Sequence, residues 1–97
     1  MRDERWVNPN IDLFPPEFNM LRKIIYEEFP TLWSIVGGMM IHDQANFIVI
    51  MNETLDVNVD PSRHDIATGC EMYIKALRRI QKIAKTGIII PSDQLIH

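Results

Sequence analysis

Half of the ten basic residues of this 97-residue chain, Lys75, Arg78, Arg79, Lys82 and Lys85, stand close together near its C-terminal end. At helical spacing they share one face, and such a stripe is able to hold a phosphate backbone or an acidic protein. The plainer reading is a solvated helix face. Cations near a helix C-terminus complement its dipole, and Glu71 precedes Lys75 at the favoured i,i+4 spacing. Nucleic-acid binding gains nothing from a helix-turn-helix spacing, a zinc pattern, a glycine-rich clamp or an aromatic RNA-binding strand. An acidic protein, or the acidic half of a second copy, is the other partner the stripe suggests.

The remaining reactive residue types are scattered. Asp56-x-Asn58-x-Asp60 resembles the opening of a calcium loop, but Pro61 replaces the required glycine and Ala67 the closing glutamate. Strand alternation accounts for these residues better. His42-Asp43 reads as turn chemistry, His64 falls on an outward helix face, and His97 ends the chain. Cys70 sits in an apolar helix stripe as a buried, inert thiol, and six residues separate it from His64, too far around a helix for a catalytic pair. Glu27 and Glu28, at a helix C-terminal end, read as solvated carboxylates that partner Lys23 or another element. No phosphate loop, dinucleotide motif or paired Cys/His ligand set is present, so no cofactor, no metal and no catalytic residue is predicted.

Composition places limits around this. With 46% apolar and 24% charged residues the chain should fold, and its length suits one domain. The mild net charge of −3 hides polarity: residues 1–60 carry four basic and ten acidic side chains, residues 61–97 six basic and three acidic. A single cysteine forms no internal disulfide, no run reaches the length of a membrane span, and the charged Met1–Arg5 leads into no signal-like stretch. A cytoplasmic protein is the expectation.

The elements that would position these groups follow from periodicity. Residues 1–14 read as a packing arm with a short strand near Ile11–Phe14, and residues 15–97 as a single domain. A helix is predicted from Pro15-Pro16 to Phe29, because Phe18, Leu21, Ile24, Ile25 and Phe29 recur at helical spacing and Pro30 stops it. Thr31–Ile41 and Ala45–Met51, rich in Ile, Val, Phe, Trp and Met, read as a long hairpin, with Gly37-Gly38 as a bulge or a place where another backbone comes close. Thr54–Asp60 alternates strictly, as a strand with one wet face. A second helix is predicted from Ser62, its cap, to Lys85, with Gly87 as its C-terminal stop, followed by a strand at Ile88–Ile90.

The resulting (β)-α-β-β-α-β order predicts an α+β fold, two helices on one face of a small antiparallel sheet, of the ferredoxin-like type or an α-β-β-α-β variant. Both faces of the predicted hairpin are apolar. Two helices cover only one, so a self-association face comprising Trp33, Ile35, Met39, Ile41, Ile48 and Ile50 is predicted, with a homodimer as the simplest outcome and wrapping by the arm, a hetero-partner or a small apolar ligand as the alternatives. The second helix carries an apolar stripe wider than one neighbour requires, and Gly69 within it suggests a close approach. The functional expectation is a small interaction module, self-associating, that acts as adaptor, regulator or inhibitor of a larger assembly. The alternatives are anion or nucleic-acid binding through the basic face, and a small enzyme or ligand-binding domain with its site at a subunit interface.

Overall fold

Pro30 sets the first corner of the fold. It cannot continue a helix, and it pushes the residue before it out of helical geometry. Phe29 accordingly has φ −135° and ψ 66°, closing α1 (Pro16–Glu28) through its N–H on Ile25 O and opening α2 (Pro30–Val36) through its carbonyl, which accepts from Trp33 N at 2.9 Å. The computed structural model describes residues 14–86, with side chains through residue 84. Among them the order is α1, α2, α3 (Met39–His42), α4 (Gln44–Leu55) and α5 (Ile66–Thr86).

The predicted sheet is absent from the described residues, and the α+β expectation is wrong. Thr31–Ile41 and Ala45–Met51 form α2, α3 and α4 in place of a hairpin. Short runs that are apolar all round do not distinguish a buried strand from a buried helix, and here a helical period was present beneath the β-branched composition. Leu32, Val36 and Met40, four residues apart, are the ones buried, as are Phe47, Ile48 and Met51. The apparent second apolar face dissolves with the sheet, since residues that alternate along a strand spread around a helix.

Gly37 and Gly38 keep right-handed helical angles, so α2 and α3 nearly continue one another. Neither glycine marks a strand bulge. Among the described residues no other element's backbone comes close to them either: the near neighbour of Gly37 is Trp33, one turn earlier, whose ring would lie 2.8 Å from a Cβ there, and Gly38 has open space. After the α3 turn, Gln44 Nε2 donates to the carbonyls of Met40 and Ile41, both at 2.9 Å, while Asp43 Oδ1 accepts from Asn46 N at 3.4 Å to cap α4. These polar residues make the break between α3 and α4 tolerable by satisfying helix-end groups.

Asp56, in the left-handed region at φ 55°, terminates α4, and Val57 N donates back to Asn52 O at 3.1 Å. Thr54–Asp60 is therefore a helix end and a loop, without the predicted strand. Its alternation survives only in part: Val59 is buried and Asp56 and Asn58 are exposed. Asn52 holds this loop with its whole amide. Nδ2 donates to Val59 O and Oδ1 accepts from Val59 N, each at 3.0 Å, and Oδ1 also accepts from Tyr73 Oη at 2.8 Å.

The last helix begins at Ile66, later than predicted, and Asp65 is its cap, accepting from Thr68 N at 2.8 Å. Ser62 bonds instead to Asp60 within the preceding turn. Ile66, Cys70, Tyr73, Ala76 and Leu77 face the core. α5 packs against both α1 and α4, which explains the breadth of its apolar stripe. Phe18, Leu21 and Ile25 of α1 and Phe47 and Met51 of α4 complete the centre, with Phe47 edge-on to Tyr73 at 5.8 Å. Gly69 is buried. The predicted arm strand, apart from Phe14, and the strand at Ile88–Ile90 lie outside the described residues; Phe14 is buried against Phe18 and is not in a strand.

Candidate functional site

The corner at Phe29-Pro30 leaves a hollow. α1 ends at Glu28, α2 departs, and the last turn of α4 meets α5 beside them, so that four elements converge without filling the space between. The result is an apolar groove of about 480 Å³ lined by Phe29, Leu32 and Ile35 on one side and Leu55, Leu77 and Ile80 on the other, with Thr31 and Thr54 among its few polar groups. Two of these aliphatic side chains remain open to solvent, Ile35 at 51% and Ile80 at 42%.

Polar residues border the groove where α1 meets α5. Arg78 Nη1 donates to Glu28 Oε1 at 2.7 Å, and Gln81 joins both partners, with its Nε2 donating to the same Glu28 oxygen. Glu28 and Ala84 extend this rim into a second hollow of about 420 Å³. The reading of Glu28 as the partner of another element holds. The cationic stripe is accordingly less uniform than its sequence suggested: Arg78 is committed to Glu28, Lys75 and Arg79 are exposed, Lys82 is exposed on the same helix, and the side chain of Lys85 lies outside the described residues.

A different arrangement occupies the other flank of α2. Asn19, Arg22, Lys23 and Tyr26 follow one another at i, i+3, i+4 and i+7 on α1, and Trp33 reaches across from α2 to close a cleft of about 440 Å³. The Arg22 guanidinium carbon lies 5.3 Å from the Trp33 ring centroid, within cation–π range, and Tyr26 meets Trp33 edge-on at 5.2 Å. Arg22 Nε is buried without an acceptor.

The predicted self-association residues are dispersed and make no common sheet face. Ile48 is in the core; Trp33 lines the α1–α2 cleft; Ile35 lines the groove; Met39, Ile41 and Ile50 are half-buried on α3 and α4. Helical geometry separates what strand alternation would have aligned.

The nucleophile and acid–base candidates hold structural positions. Burial, and then the nearby negative charge of Glu17, push the Cys70 thiol up to about 12, so it stays protonated and unreactive at neutral pH. Burial, with Cys70 as a secondary influence, also raises the Tyr73 hydroxyl, which remains a donor to Asn52. His64 Nδ1 accepts the Asp60 N–H at 3.0 Å. The Ser62 hydroxyl and N–H lower the Asp60 carboxyl below its usual range. No group of three His, Cys, Asp or Glu side chains able to hold a metal occurs among the described residues.

The groove and the α1–α2 cleft were both missed by sequence reasoning. The α1 half of the cleft had a signal in the i, i+3, i+4, i+7 run of Asn19, Arg22, Lys23 and Tyr26. Trp33 had none, because a strand assignment pointed it elsewhere. Compared with protein-family models, with curated proteins and with solved structures, the chain matches none.

Proposed function

We propose that this chain is a protein-interaction module whose apolar groove receives the apolar face of an amphipathic segment from an acidic partner protein. The observation that carries this reading is the pairing of two half-exposed isoleucines, Ile35 and Ile80, across a concave apolar surface. Full burial of an exposed aliphatic side chain of this size is worth about 1.5–3 kcal/mol, so covering the exposed half of these two anchors supplies part of a modest affinity. The partner's charge follows from the exposed cations on the same helix, Lys75 and Arg79, which favour acidic residues flanking the inserted apolar ones. No described helix is long and apolar enough to cross a membrane. The lone, buried Cys70 supports the cytoplasm as the place where the module works.

Panning a displayed library of random amphipathic peptides against the full chain tests this. The expected result is an enriched motif of aliphatic residues at helical spacing with flanking acids. Ile80→Asp should weaken the selected peptide about tenfold or more, and Lys75→Gln with Arg79→Gln by a few-fold. Enrichment of no motif, or affinity indifferent to Ile80→Asp, overturns the reading. Sedimentation of the free chain covers the homodimer expectation: a dimer that Ile80→Asp dissociates would put a second copy in the groove and displace the acidic partner.

A further inference from the structure

We propose that the cleft between α1 and α2, lined by Asn19, Arg22, Lys23, Tyr26 and Trp33, is a binding site for a small organic anion, held by its carboxylate or phosphate head group. This goes beyond the groove reading and does not depend on it, since the two sites lie on opposite flanks of α2.

Three observations converge on the anion. The cleft of about 440 Å³ falls within the range that holds a small ligand. Its two cations have no counterion: no ion pair among the described residues involves Arg22 or Lys23, although Glu27 stands one turn beyond Lys23. Third, the Arg22 Nε–H is buried with no acceptor. A buried donor left unmade costs about 1–3 kcal/mol, and folded proteins carry few of them.

The contact with Trp33 explains how that arrangement is useful. The indole attracts the guanidinium, whose carbon lies 5.3 Å from the ring centroid, and so restricts where that group and its terminal nitrogens sit. Those nitrogens form a planar fork that matches the spacing of carboxylate or phosphate oxygens, and a charge-assisted pair is about twice as strong as a neutral hydrogen bond. Lys23 supplies a second, mobile cation, and the Asn19 amide offers a donor beside it. Tyr26, 62% exposed and held edge-on by Trp33, offers a broad face on which the body of the ligand can rest. The cleft thus has donors and an aromatic platform, and no carboxylate lines it among the described residues.

The test is a titration of the full chain, labelled with nitrogen-15, by inorganic phosphate and separately by benzoate at fixed ionic strength. The Trp33 indole N–H and Arg22 Nε–H signals should shift saturably. Arg22→Gln should weaken binding about tenfold or more, Arg22→Lys should recover only part of it, and the exposed Lys23→Gln should weaken it several-fold. Lys75→Gln on α5 should change nothing. Saturation by both probes identifies a general oxyanion site; saturation by benzoate alone, or phosphate alone, assigns the head group. Linear shifts with both probes, or equal binding in Lys23→Gln and wild type, overturn the proposal. Lys23→Gln keeps the test decisive even if Arg22→Gln fails to fold.

Discussion

Two polar clusters in this small helical fold differ in how completely their groups are satisfied. Around Asn52, the side-chain amide donates to Val59 O, accepts from Val59 N and accepts again from Tyr73. Around Arg22, a buried N–H has no acceptor and two cations have no counterion among the described residues. The first cluster holds a loop to a helix and leaves nothing over for a ligand. The second keeps a donor that no described group satisfies, beside two cations that a ligand would neutralise. Satisfaction of hydrogen bonds therefore separates structural polarity from binding polarity in this molecule.

The comparison can be broken most forcefully at Asn52. Asn52→Ala removes three hydrogen bonds and strands the Val59 N–H and C=O, so a loss of about 2–4 kcal/mol is expected in urea unfolding. A loss below about 1 kcal/mol would mean that the clamp is incidental. Gly37→Ala tests the neighbour of the second cluster, because its new methyl must displace the Trp33 indole. Overpacking of this kind costs about 1–3 kcal/mol, and it should weaken anion binding in parallel by moving the platform under Arg22. A destabilised variant with unchanged binding would show that Trp33 does not position the guanidinium.

Cys70 sharpens the comparison through pH. Its folded value is raised from 9.0 to about 12, so the folded state disfavours the thiolate that the unfolded chain forms freely. Stability from this group is intact below about pH 9 and falls as pH rises toward 12, by up to about 1.4 kcal/mol per unit. Tyr73, also raised, adds a loss of the same sign above its ordinary value of 10.0. Comparing alkaline unfolding of the wild type with Cys70→Ala isolates the thiol; identical alkaline slopes would place Cys70 in a wetter site than the packing indicates. The smallest effect is expected at Lys23→Gln, within about 0.5 kcal/mol of wild type, as for other exposed substitutions. A larger destabilisation would return the α1–α2 cleft to a structural role.

What could be read from the sequence followed from groups whose meaning is local. α1 was legible because proline opens and closes it and its apolar residues recur at one period; most of α5 was legible for the same reason of period, although its cap fell at Asp65 in place of Ser62. α2 to α4 were not. Their β-branched and aromatic content pointed to strands, while Leu32, Val36 and Met40 carried a helical repeat that only burial revealed. Propensity yielded there to tertiary packing, as it does whenever a short segment gains more from filling a core than it loses in side-chain entropy.

By itself the sequence determined the chain's charge polarity, a single inert cysteine, the helix boundaries at Pro30 and the cationic face of α5. Only the tertiary structure decided which carboxylate neutralises Arg78, where an apolar hollow opens beside Ile35 and Ile80, and that Trp33 crosses from α2 to lie under Arg22. The physical reason is distance along the chain. Glu28 and Arg78 are 50 residues apart, and their meeting depends on how α1 packs against α5. Periodicity constrains a single element, whereas a site assembled between elements is set by the angles at which they pack.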